Sequence, residues 1–193
     1  MDYDTTTALL VIDVQNDFTD PGGSLYVAGA EDAVPFINEQ IDLATSAGSL
    51  VVYTQDWHPG STPHFAKDGG IWPVHCVKDS WGAEFHPDLI VDGPSIKVGV
   101  DGEDGYSGFT VRHPETGEQT PTEMATLLRD HSVAAIIVVG LATDYCIKET
   151  AIDGANAGFA TTVLTAGVRA VNLEPDDGSR AIAAMAAAGV TIS

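Results

Sequence analysis

Three residues far apart in the chain, Asp13, Lys97 and Cys146, each sit in or just beyond a short apolar run. Together they are the parts of an activated thiol nucleophile. A carboxylate or an ammonium taken out of water alone is costly, because nothing offsets its lost hydration. Beside a cysteine the two offset each other: the carboxylate accepts the thiol proton and the ammonium stabilises the anionic state. Thr143 reads as a helix N-cap. Cys146 is therefore expected in a first helical turn, where the dipole and unpaired N–H groups favour a thiolate. A lone cysteine is more often a small buried hydrophobe. The company of Asp13 and Lys97 argues against that here.

A second group has the character of a metal site. Asp56, His58, His64 and His75 supply one carboxylate and three imidazoles within one stretch of chain. Oxygen and nitrogen ligands without thiolate suit a divalent ion, Zn²⁺, Mn²⁺ or Fe²⁺, leaving a position for water or substrate. Cys76, next to His75, is expected to pack inward. His86 and His113 read as ordinary loop residues, and His131, ending a helical pattern, as a partner of the helix dipole. The acidic run at 101–105 lacks EF-hand spacing and reads as a solvated turn. There is no G-x-G-x-x-G after the first strand and no G-x-x-x-x-G-K-[ST], so dinucleotide and P-loop chemistry have no support.

Positioning these groups requires a scaffold, and the chain supplies one by alternating two patterns. Residues 8–14 are apolar continuously rather than at every second position, the mark of a strand buried on both faces. Residues 31–47 read as a helix, with Val34, Ile37, Ile41 and Ala44 on one face and Gly48 as its stop. Strands are expected at 50–54, 95–98, 133–139, 160–164 and 190–192, and helices at 122–131, 144–157 and 176–188. A tight turn is expected at 140–143. This alternation gives an α/β fold, a doubly wound parallel sheet with helices on both faces, in one domain spanning 1–193. In such sheets sites form beyond the carboxyl ends of the strands, where Asp13, Asp56, Lys97 and the turn to Cys146 all fall. The long segment 56–92, rich in Pro, Gly, His and Trp, has no sustained period; loops of that length in a domain are usually functional.

Composition narrows the classes. Eight basic against 28 acidic residues give 8 − 28 = −20, which excludes an electrostatic nucleic-acid binder and disfavours anionic lipid. The acidity reads as a solvated, self-repelling surface. A hydrophobic fraction of 44% supplies one core. Two cysteines make no disulfide framework, the acidic stretch Met1–Asp4 is unlike an export signal, and no apolar run is long enough to span a bilayer. The expectation is a cytoplasmic protein with free thiols.

Six stretches in order resemble the nicotinamidases, within the isochorismatase-like cysteine hydrolases: 11–18, 22–25, 56–59, 72–76, 105–109 and 140–146. One departure is Val98 after Lys97, where glycine is common. The resemblance implies a six-stranded parallel sheet, a triad of Cys146, Asp13 and Lys97, and a metal held by Asp56, His58, His64 and His75. It also implies a cis peptide between Leu141 and Ala142, an oxyanion hole from the Ala142 and Cys146 N–H groups, and aromatic walls from Phe18, Trp72 and Tyr106. The implied reaction is hydrolysis of nicotinamide to nicotinate and ammonia through a thioester, with pyrazinamide as a further substrate. Partners are then a small molecule, without nucleic acid or membrane; a homo-oligomer is compatible with the sequence. Two rivals stand beside this reading. A metal-independent relative such as an N-carbamoyl-amine hydrolase needs no full ligand set, and a non-enzymatic metal-binding thiol protein needs no Asp and Lys beside its cysteine.

Overall fold

The computed structural model describes residues 3–193; Met1 and Asp2, half of the acidic N-terminal stretch, lie outside the described residues. In chain order the strands are β1 (Thr7–Ile12), β2 (Leu50–Asp56), β3 (Ser95–Val98), β4 (Thr110–Arg112), β5 (Gln119–Pro121), β6 (Ala135–Leu141), β7 (Ala160–Arg169) and β8 (Thr191–Ile192). The helices are α1 (Asn16–Thr19), α2 (Val34–Ser46), α3 (Met124–Asp130), α4 (Lys148–Asn156) and α5 (Asp177–Ala187).

Six strands form one parallel sheet in the order β3-β2-β1-β6-β7-β8. The continuous apolarity of β1 has its cause here. Ala8, Leu10 and Ile12 face a core shared with α3, α4 and α5, while Leu9 and Val11 face one shared with α2. Every residue of β1 is buried, and each large side chain so removed from water contributes about 1.5–3 kcal/mol. Helices therefore cover both faces, and the doubly wound α/β expectation holds. The strand order reverses between β1 and β6, which opens a crevice at their carboxyl ends.

Several boundaries differ from the sequence pattern. β1 stops at Ile12 because Asp13 turns into the left-handed region, φ 50°. β6 runs on to Leu141, so Gly140 and Leu141 belong to the strand rather than to a turn. Gly140 has φ 116°, and a Cβ there would collide with the Ile12 carbonyl, so only glycine lets β6 approach β1 so closely. β7 continues to Arg169 because the chain re-pairs with Gly140 and Leu141 after an irregularity, beyond the polar break that ends the apolar run. The antiparallel β4–β5 hairpin had no visible period, since its residues are largely exposed. Among the described residues no helix is long and apolar enough to cross a membrane.

Candidate active site

The crevice between β1 and β6 brings Asp13 to Cys146. Beyond β6, Ala142 is extended and residues Thr143–Ile147 form a π-helical turn leading into α4. The peptide between Leu141 and Ala142 is cis. Thr143 does not cap the turn, so the capped first turn expected around Cys146 is replaced by this wider turn. Cys146 is buried, and its thiol is pushed well up by that burial and by the charges of Asp13 and Asp56. Burial and the two carboxylates thus work against the thiolate that a helix N-terminus favours, so loss of the thiol proton calls for a nearby acceptor. The Ala142 N–H, directed at the sulphur, acts in the opposite sense.

Asp13 is the carboxylate nearest in effect to the Cys146 thiol, each group shifting the other. Burial first, then the nearby Asp56 charge, pushes its carboxyl up to about 7, while Thr54, Cys146 and His58 pull it down. A carboxylate tuned near neutrality suits proton exchange with a thiol. The Thr54 hydroxyl donates to Asp13 Oδ1 at 2.6 Å and accepts from the Asp13 N–H at 3.2 Å. Thr54 escaped notice in the sequence, although it lies two residues before Asp56 and so shares its face of β2.

Lys97 does not join them. β3 is an edge strand whose residues alternate exposed and buried, and Lys97 falls on the exposed set. Its register partner is Gln55, whereas Val98 pairs with Asp56. Side chains at paired positions share a face, so Val98 looks inward and Lys97 outward. The Lys97 ammonium rests 3.3 Å from the centroid of the Trp57 ring, a cation–π contact at the surface. Val98 is packed in the cluster that holds Cys146, and its Cγ2 and Asp56 Oδ1 crowd Gly105 so closely that a Cβ there would lie 2.7 and 2.8 Å from them.

The metal-type residues do converge. Ring nitrogens of His58, His64 and His75 lie within 4.8 Å of one another. Asp56 Oδ2 is 3.3 Å from His58 Nε2 and 3.4 Å from His75 Nε2. Burial would raise Asp56, but the His58 and His75 imidazoles outweigh it and hold the carboxyl far below its usual range. Asp56 Oδ1 and His58 Nε2 are buried without a hydrogen-bond partner among the described residues. Buried polar atoms of this kind need a partner, and a divalent ion fits the donor set. Surrounding groups fix the two other rings. His75 Nδ1 lies 2.8 Å from the Pro73 carbonyl, and His64 Nδ1 lies 2.8 Å from Asp104 Oδ1, which frees both Nε2 atoms. Asp104 is itself gripped by Arg112, at 2.7 Å. It sits in the run at 101–105 read as a solvated turn, and in this residue that reading fails: Asp104 is buried. Gln15 steadies Asp56 from behind, donating to its carbonyl and accepting from its N–H, both at 2.8 Å.

Phe18, Trp72 and Tyr106 line one pocket with Cys146, Asp56, His64 and His75. Trp72 Nε1 donates to the Tyr106 hydroxyl at 2.8 Å. Tyr145 and Val171, absent from the sequence reading, complete the walls; Tyr145 meets Trp72 edge to face at 4.8 Å between centroids. Asp144 fastens this side by accepting from the Val171 and Asn172 N–H groups. Outside the site, Cys76 packs inward, His86 and His113 are exposed or partly so, and His131 Nδ1 reaches the Leu127 carbonyl near the end of α3.

Fold and site define an α/β protein with a buried Cys–Asp pair beside a histidine-rich cation site at the switch point of a parallel sheet. The Isochorismatase domain family matches residues 7–193, and the chain belongs to that family. Nicotinamidase of Escherichia coli strain K12 is 38% identical over 204 residues, covering 96% of this chain and 93% of that protein. The pyrazinamidase of Pyrococcus horikoshii in complex with zinc superposes with a TM-score of 0.86 at 36% identity, over 97% of this chain and 98% of that one. PnC1 of L. infantum in complex with nicotinate gives 0.89 at 34% identity, over 100% and 95%.

Proposed function

We propose that this chain, a carboxamide hydrolase of the isochorismatase family, converts nicotinamide and water to nicotinate and ammonia and also accepts pyrazinamide. The observation that carries the reading is one pocket lined together by Cys146, by Asp56, His64 and His75 of the cation site, and by the aromatic walls Phe18, Trp72 and Tyr106. Its closest support outside the chain is the set of nicotinamidase and pyrazinamidase relatives, one with zinc and one with nicotinate.

The roles follow from position. Asp13 takes the thiol proton, and the Cys146 sulphur attacks the carboxamide carbon. The Ala142 and Cys146 N–H groups hold the oxyanion that forms. Asp13 returns its proton to the departing nitrogen, the C–N bond breaks, and ammonia leaves a thioester on Cys146. Asp13 then deprotonates a water that attacks the thioester, and the thiol is restored as nicotinate departs. Asp56, His58, His64 and His75 would hold the divalent ion, zinc in the first instance. When bound, that ion offers a Lewis-acid position to the ring nitrogen, remote from the scissile amide. Phe18, Trp72 and Tyr106 hold the faces of the ring. The test is ammonia release from nicotinamide by the purified protein, expected for the wild type and lost in Cys146→Ala. Metal binding without ammonia release would favour a metal-binding thiol protein instead.

A further inference from the structure

We propose that the nucleophile works as a Cys146–Asp13 pair positioned by Thr54, with Val98 in the inward place on β3 and Lys97 outside the reaction. The inference rests on the reading that Cys146 attacks a carboxamide. Its basis is parity along two neighbouring strands. Thr54 and Asp56 on β2 face the same side as Ile96 and Val98 on β3, the side whose core cluster holds Cys146. Gln55 and Lys97 face the other way. An ammonium on that outer face cannot reach Asp13 without reversing the strand, because a one-residue slip would expose Val98 and Ile96.

The chemistry does not require the ammonium. Proton transfer from the Cys146 thiol to the Asp13 carboxylate converts SH and COO⁻ to S⁻ and COOH. One negative charge is present before and after, moved rather than created. What the step does require is a carboxylate held on its lone-pair side toward sulphur. Thr54 supplies that hold at both ends of Asp13, giving a hydrogen bond to Oδ1 and taking one from the backbone N–H. The left-handed backbone at Asp13 brings the carboxylate to this hydroxyl. Because Thr54 touches Asp13 and not substrate, it is a positioning residue.

The test compares the metal-loaded wild type with Thr54→Val, Thr54→Ser and Lys97→Met, after checking that each holds the same metal per chain. Thr54→Val keeps the shape and removes the hydroxyl; kcat should fall about tenfold or more while KM stays within about threefold. Thr54→Ser should restore kcat to within about threefold, which a role in packing alone would not give. Lys97→Met should change kcat and KM by no more than about twofold. A fall in kcat for Lys97→Met as large as that for Thr54→Val overturns the proposal, as does a Thr54→Val enzyme with wild-type kcat. If the wild type releases no ammonia, the functional reading fails by itself, and alkylation of Cys146 by iodoacetamide decides this inference. Slowing in Thr54→Val with no change in Lys97→Met supports it; equal rates in all three, or slowing in Lys97→Met, overturn it.

Discussion

β2 and β3 lie side by side, run parallel and end at the same crevice, yet they treat polar residues in opposite ways. β2 is an inner strand, buried on both faces, and its last inward residues are Thr54 and Asp56, each with work to do in the site. β3 is an edge strand with one face in water. Its charged residue stays on that face, over Trp57, and its inward residue is aliphatic. Hydration explains the difference. A lysine on the wet face of an edge strand loses little solvent, whereas turned inward it would lose nearly all of it. A strand end near a site is therefore not enough to place a residue there; parity decides.

The largest effect expected of this comparison lies where β2 meets β1. Asp13→Asn keeps the hydrogen bond to Thr54 but cannot take the thiol proton, so kcat should fall about a thousandfold with the fold intact by circular dichroism. A loss under tenfold would mean another group accepts that proton. Next comes the last inward residue of β2. Asp56→Ala should weaken nicotinamide binding, raising KM about a hundredfold and more than it lowers kcat, because a contact to the ring nitrogen exists in ground and transition states alike. Benzamide, which lacks that nitrogen, should be a poor substrate that responds little to metal; a metal effect on kcat alone would assign the ion to the amide.

The next largest effect concerns the loop after β3. Asp104→Asn weakens the partner of His64 Nδ1 and should lower metal affinity about tenfold, read by titration against a chelator. Unchanged affinity would make the Asp104–Arg112 pair structural only. The smallest effect belongs to the outward faces collectively. Self-repulsion at a net charge of −20 is screened by salt. The melting temperature should therefore rise by about 3 °C between low and moderate NaCl, equivalent to about 1 kcal/mol at this size. A flat response would show that the acids are well spaced.

The legible parts of this molecule were those governed by burial over several residues. β1 announced itself because both of its faces are covered, and the helix period of α2 reported a single apolar stripe. Asp56, His58, His64 and His75 could be grouped by ligand chemistry alone, and they do converge. What stayed hidden depended on one residue's direction or on a partner far away in sequence. Lys97 has an ordinary residue type for a catalytic role, and the polar–apolar alternation of Ser95-Ile96-Lys97-Val98, which sets it on the outer face with Ser95, runs for only four residues and was outweighed by its nearness to the other strand ends. The Thr54–Asp13 and Asp104–His64 contacts join residues 41 and 40 positions apart, so neither pairing can be read from its own stretch of chain. The π-helical turn at Cys146 was read as an ordinary capped helix because its sequence carries a threonine in a capping position.

The central claim is that Cys146 carries the acyl group, and rapid quenching of the metal-loaded enzyme with nicotinamide tests it most directly. Intact-mass analysis should show a nicotinoyl adduct on the wild-type chain, mapped to Cys146, and hydroxylamine should divert it to the hydroxamic acid. Neither product should form with Cys146→Ala. Steady ammonia release with no adduct and no hydroxamic acid, or release that survives Cys146→Ala, would contradict the account.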